Sequence, residues 1–350
     1  MTRVASLLVC LAALNACSRS PSATRQVAAR SPVPSPSTAS PAPVLAPDDR
    51  VRLAEVFRLA EAVGDGLWPS WTSAPFAVLL VTPEREYLVR HPRPSAEFTP
   101  VGYDSLLASD VLVRPRKLSP SLLATFPAVG GVPTIVVGQA QATGKSSTEW
   151  VLTLLHEHFH QLQTSREGYY ARVDSLGLSR GDRTGMWMLN YAFPYDSATV
   201  QARFAELARH LDGALAASSP AEQASHWRAA LDARSALRAA LPGDDDRYLA
   251  FQMWQEGVAR YTELHVARFA ASRYTPGAAF TALPDYIPFS AAADRIEAGI
   301  RAGLRTPLAR DRRVAFYPLG AAFALLLDGR APEWRTAYFD RGYALDAHAR

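Results

Sequence analysis

Between Trp150 and Gln163, apolar side chains recur at helical spacing: Val151, Leu152, Leu155, Phe159 and Leu162 fall on one side of a helical wheel. His156, Glu157 and His160 fall on the other, so the pattern predicts a helix with a buried apolar face and a polar face carrying two histidines. His158 lies roughly 200° from His156 at about 100° per residue, among the apolar positions, and reads as a hydrogen-bonded core histidine. A second helical pattern runs from Arg247 to Arg273. Phe251, Trp254, Val258, Tyr261 and Phe269 share one side, and Gln252, Glu256, Arg260 and Glu263 the other. Gly257 breaks it. Glycine costs about 1 kcal/mol in a helix interior, so its presence implies that something approaches the backbone closely beside Glu256.

The remaining pattern sorts by position. Asp49–Val63 reads as a helix with an Asp-rich start. Residues 75–82 and 86–90 read as a strand pair around Pro83-Glu84-Arg85, 111–114 as another strand, and 133–138 as a short β-branched strand before the histidine helix. Beyond Gln163 the chain becomes mostly helical, with further helices expected over 197–215, 221–240, 291–304 and 320–327. The expected fold is therefore α+β and zincin-like: a mixed β-sheet in an N-terminal α/β lobe (48–145), then a mainly helical lobe (146–350), with the site between them and 48–350 acting as one unit.

The first 47 residues follow a different pattern. Arg3 and an apolar run from Val4 to Leu14, too short to span a membrane, give residues 1–16 the shape of a signal peptide. Leu14-Asn15-Ala16-Cys17 resembles a lipobox, in which Cys17 becomes the lipidated N-terminus. Cys10 and Cys17 are the only cysteines, so a mature chain beginning at Cys17 has no thiol left for a disulfide or a thiolate metal site. Residues 17–47, rich in Ser, Pro and Ala, read as a disordered tether. These features place the protein in a bacterial cell envelope, lipid-anchored at the outer membrane facing the periplasm or the cell surface. A net charge of +4 is small for 350 residues. Its only basic knot, Arg310 to Arg313, reads as a solvated loop and not as a nucleic-acid footprint.

The chemistry lies in His156-Glu157-His158-Phe159-His160. An H-E-x-x-H sequence on a helix sets two imidazoles about 40° apart, close enough to share one metal ion, with Glu157 beside them to deprotonate a water at the open position. Glu256 is the strongest candidate for the third ligand, and Zn2+ is the expected cofactor. A competing motif, from Gly138 to Ser146, follows a strand and opens a helix as a phosphate-binding loop does. It holds five residues between the glycines where that loop requires four, which leaves nucleotide binding a remote alternative and makes a turn and helix cap the better reading of Gly144 to Ser147.

Together, H-E-x-x-H and the stretch Trp254-Gln255-Glu256-Gly257-Val258-Ala259 resemble the gluzincin peptidases, and are most similar to the large zinc aminopeptidase family and its W-x-N-E-G-F-A block. The resemblance implies zinc held by His156, His160 and Glu256, with Glu157 as general base. That family also places a tyrosine in Y-x-K-G-A to stabilise the oxyanion; Tyr317-Pro318-Leu319-Gly320-Ala321 is similar, with Leu319 in place of lysine, and implies that role for Tyr317. His160 and Glu256 are much further apart than gluzincin spacings commonly are, so residues 164–246 form an insertion. Nothing between Gly130 and Ser147 reproduces the aminopeptidase G-x-M-E-N block that holds a substrate amine. The expectation is a secreted, lipid-anchored zinc peptidase acting on a peptide or protein substrate; the alternative is a lipoprotein that keeps the fold as a binding or scaffold module without turnover.

Overall fold

The computed structural model describes residues 44–349, so the expected signal segment, Cys17 and most of the expected tether lie outside the described residues. The first helix, α1 (Pro47–Val63), opens with Pro47 in its first turn followed by Asp48 and Asp49, residues suited to unpaired N–H groups and the positive end of the helix dipole. A six-stranded mixed sheet follows, comprising β1 (Val78–Val81), β2 (Arg85–Val89), β3 (Thr99–Asp104), β4 (Ser109–Pro115), β5 (Leu123–Val129) and β6 (Val132–Gly138). Their order across the sheet is β3-β4-β2-β1-β6-β5. Only β1 and β6 run parallel; the other neighbours are antiparallel.

The two strands absent from the sequence pattern are the two edges. In β3 every residue from Thr99 to Tyr103 is exposed, and Pro100 and Gly102 flank a register shift, so no buried alternation marks it. In β5 Pro127 coincides with an irregularity between Phe126 and Val129. Edge strands tolerate proline because one row of their N–H groups has no ladder partner. The four inner strands fall where the pattern predicts them.

The histidine helix α2 (Ser147–Ser165) lies across the sheet against β5 and β6 and is flanked by α1 and the helix Val258–Arg273. It is buried nearly all round: between Ser147 and Gln163 only Glu149 is not buried. Its polar face is turned onto another helix and not toward solvent, so the two-sided pattern marks two kinds of interior. One core cluster runs from Leu45 through α2 to Leu345, which joins sheet and helices into a single packed body. The expected insertion contains a helical hairpin, Ala198–Ala216 and Pro220–Ala240, packed on the helix Phe316–Asp328 through contacts such as Phe204 with Phe316 and Trp227 with Phe323. It buttresses the wall that bears Tyr317. No helix among the described residues is long and apolar enough to cross a membrane.

Candidate metal centre

Gly144, in the left-handed region at φ 68°, turns the chain out of the sheet, and Ser146 caps α2. Ser146 Oγ accepts from the Glu149 backbone N–H while the Glu149 carboxylate accepts from the Ser146 N–H, a reciprocal capping box. Buried Arg52 on α1 donates to Ser147 Oγ at 2.7 Å and so pins the start of α2 from outside. The segment that resembled a phosphate loop is thus a turn and cap, and it fixes the rotation of α2 about its own axis.

The second wall is one continuous helical rod from Gly243 to Arg273, interrupted by a π-helical turn at Met253–Gly257. A π turn inserts an extra residue, which re-aims the side chains within it, and such turns recur at functional sites. Glu256 sits inside it. The cause of Gly257 is now visible: a Cβ there would stand 2.4 Å from Cα of Gly320, and one on Gly320 would stand 2.5 Å from the Met253 carbonyl oxygen. The helix Phe316–Asp328 therefore crosses the π turn in direct backbone contact. That contact sets the separation between Glu256 and Tyr317, which the two helices carry one residue before Gly257 and three before Gly320.

Three side chains converge between the walls. Ligand atoms of His156, His160 and Glu256 all lie within 4.8 Å of one another, and all three residues are buried. Glu256 Oε2 is 3.4 Å from His160 Nε2 and 3.9 Å from His156 Nε2. Two ligands each about 2.1 Å from a tetrahedral ion stand about 3.4 Å apart, so these residues fit a metal ion with little movement. The remote nitrogens are also engaged. His160 Nδ1 is 2.6 Å from Gln163 Oε1, and His156 Nδ1 is 3.4 Å from Glu263 Oε2. With the proton of each ring on Nδ1, toward these acceptors, both Nε2 lone pairs face Glu256, the outer-shell arrangement that orients metal-binding histidines.

The electrostatics agree with the geometry. Burial works against a charged His156, yet the Glu256 and Glu263 carboxylates beside it outweigh that and raise the imidazole to about 9. Burial likewise pushes the Glu256 carboxyl up, but the His156 and His160 imidazoles beside it hold it well below the usual carboxylate range. A buried cluster that draws a proton this strongly is one that a cation stabilises.

Beside it, Glu157 is buried, with Oε2 2.9 Å from Thr125 Oγ1, a hydroxyl supplied by edge strand β5. Tyr317 faces the same cleft. Its hydroxyl accepts from Arg313 Nη1 at 2.9 Å, and burial together with the Glu256 carboxylate pushes its pKa up, so it stays a proton donor. Arg313 also reaches Glu256 Oε1 at 3.4 Å and Gln252 Oε1 at 3.3 Å. This corrects the reading of the basic knot: Arg312 projects outward, whereas Arg313 is folded into the site. Pro318 lies in the first turn of its helix, which starts at Phe316, slightly earlier than the proline position suggests.

All five residues expected from the sequence, His156, Glu157, His160, Glu256 and Tyr317, line one cleft of about 540 Å³. Sequence reasoning missed Thr125, Arg313 and the orienting partners Gln163 and Glu263. Only Glu263 left a signal, through its place on the polar side of the Glu256 helix. His226 and Tyr261 do not line the cleft: His226 pairs with His210, and the Tyr261 hydroxyl donates to Asp328. Compared with protein-family models, curated proteins and solved structures, the chain gives no match.

Proposed function

We propose that this protein is a zinc-dependent peptidase of gluzincin type. The observation that carries the reading is the convergence of His156 Nε2, His160 Nε2 and Glu256 Oε2 on one buried point with the Glu157 carboxylate alongside. A zinc ion held there would supply a Lewis acid that polarises the scissile carbonyl and makes water acidic enough to lose a proton near neutral pH. Glu157 accepts that proton and later delivers it to the leaving amine, while the Thr125 hydroxyl fixes the orientation of its carboxylate. Tyr317 donates to the developing oxyanion, and Arg313 holds the phenol in place by donating to it from behind. β5 is an edge strand of the sheet and lines the cleft through Leu123, Ala124 and Thr125, which would let an extended peptide add to it as a further strand. The metal-site residues thereby act on a backbone held by backbone hydrogen bonds.

The decisive experiment is Glu157→Gln. The amide matches the carboxylate in size but cannot take the proton, so zinc should stay at about one per chain while peptide hydrolysis falls by about 10²- to 10⁴-fold. Substantial turnover by this variant, on a peptide the parent protein cleaves, would move the proton transfer elsewhere and sink the mechanism. We further propose that the enzyme works outside the cytoplasm on a lipid at Cys17, supported by the apolar run ending in Leu14-Asn15-Ala16-Cys17. Cys17→Ser should move the protein from the membrane to the soluble fraction; continued attachment would point to another anchor.

A further inference from the structure

Of the 37 basic residues in the chain only Lys117 and Lys145 are lysines. Lys117 is spent on a surface ion pair, 2.6 Å from Glu97. Lys145 lines the cleft, and no carboxylate among the described residues stands within ion-pair distance of its ammonium. Glu263, which lines the same cleft, already has Arg260 Nη1 at 2.8 Å and His156 Nδ1 at 3.4 Å. The positive charge of Lys145 is therefore surplus to the internal pairing of the site. Arg260 lines the cleft too, and only one of its guanidinium nitrogens is engaged.

Both cations lie at the same end. α2 and the Glu256 helix run antiparallel, with His156 opposite Glu263 and Gln163 opposite Trp254 and Gln255. Lys145 precedes the first turn of α2, and the Arg260 guanidinium reaches Glu263, which stands opposite His156 and not His160, so both charges sit on the α2 N-terminal side of the site. A partly exposed lysine is a compact, strongly hydrated point charge on a flexible stem, suited to meeting an anion brought from outside. The turn from Gly144 to Ser146 places it there, and neither the capping of α2 nor the proposed chemistry uses its side chain.

We infer that Lys145 and Arg260 form a carboxylate-binding subsite at the α2 N-terminal end of the cleft, which selects peptides bearing an acidic side chain or a free C-terminal carboxylate to one side of the scissile bond. This rests on the peptidase reading above and names its substrate class.

The test uses dansylated heptapeptides of Ala, Gly and Phe in two matched pairs: Glu against Gln at a flanking position with an amidated C-terminus, and free carboxylate against carboxamide with neutral side chains. Cleavage is measured by kcat/KM, and binding separately by dansyl fluorescence on the zinc-loaded Glu157→Gln protein. One pair should show about a tenfold preference for the carboxylate form, the scale of one charge-assisted contact, and Lys145→Met should reduce that ratio to about one. Lys145→Glu should invert it, and 1 M salt should shrink it in the parent protein. The pair that responds identifies the source of the carboxylate. Melting temperature and zinc content equal to those of the parent confirm that the variants are folded. Equal ratios in parent and Lys145→Met for both pairs would overturn the subsite while leaving the peptidase standing. Lys145-dependent binding without any cleavage would do the reverse.

Discussion

His156 and His158 stand two residues apart on one helix, and each is less than a tenth exposed, yet they occupy opposite electrostatic worlds. His156 faces Glu256 and Glu263 and is raised to about 9; His158 faces the sheet side, stacks on Phe76 at 3.8 Å between ring centroids, and is pushed down to about 4 by burial. Its hydrogen-bond partner is neutral, Gln161 Oε1 at 2.8 Å. Burial is common to both, so what separates a cation site from a core histidine is whether carboxylates share the burial. The two carboxylates that make this difference, Glu256 and Glu263, arrive from another helix.

The comparison breaks most severely if Glu256 is dispensable. Glu256→Ala removes the carboxylate on which both Nε2 atoms converge, and zinc affinity should fall by well over about a hundredfold, read as zinc per chain after dialysis. Full retention would place the third ligand elsewhere. Next comes the far wall. Tyr317→Phe deletes a single hydroxyl and should lower kcat by about a hundredfold, about 3 kcal/mol, with zinc content and peptide affinity nearly unchanged. A variant that melts earlier but keeps its kcat would make Tyr317 a packing residue.

The aromatic face is tested through pH. The folded value of His158 lies below its ordinary 6.5, so as pH falls the unfolded chain binds the proton first. The stability contributed by the neutral, buried ring is complete above about pH 6.5 and drains away toward pH 4, about 3 kcal/mol in all. His158→Phe should keep the stack on Phe76 and flatten that slope relative to the parent, as measured by urea unfolding across this window with both proteins zinc-loaded. Equal slopes would show that His158 titrates normally. The smallest effect belongs to Glu263→Gln, which leaves an acceptor near His156 Nδ1 but removes its charge; zinc should bind about tenfold more weakly. No change would demote Glu263 to a partner of Arg260 alone.

The inner strands and the long helices were legible because each buries one side, and burial writes a period into the sequence. The two edge strands were not, since β3 is exposed on both faces and β5 is bent at Pro127. Thr125, on that bent edge, was lost with it. Arg313 was misread for a related reason: among Arg310, Asp311 and Arg312 it has the composition of a surface loop, and only the fold turns it inward to Glu256.

By itself the sequence determined that two imidazoles and a carboxylate share one stretch of helix, because a fixed rise and rotation convert H-E-x-x-H into a shared face wherever that helix lies. It also flagged Glu256 through the cost of Gly257. Tertiary structure decided what that glycine meant, since its reason is the backbone of Gly320, sixty-odd residues away and outside any periodic pattern. The same crossing brings Tyr317 and Arg313 to Glu256. Local propensity acts over a few residues, whereas the distances that make a cluster able to hold a metal are set by how whole helices pack, and close packing fixes those only once every wall is present.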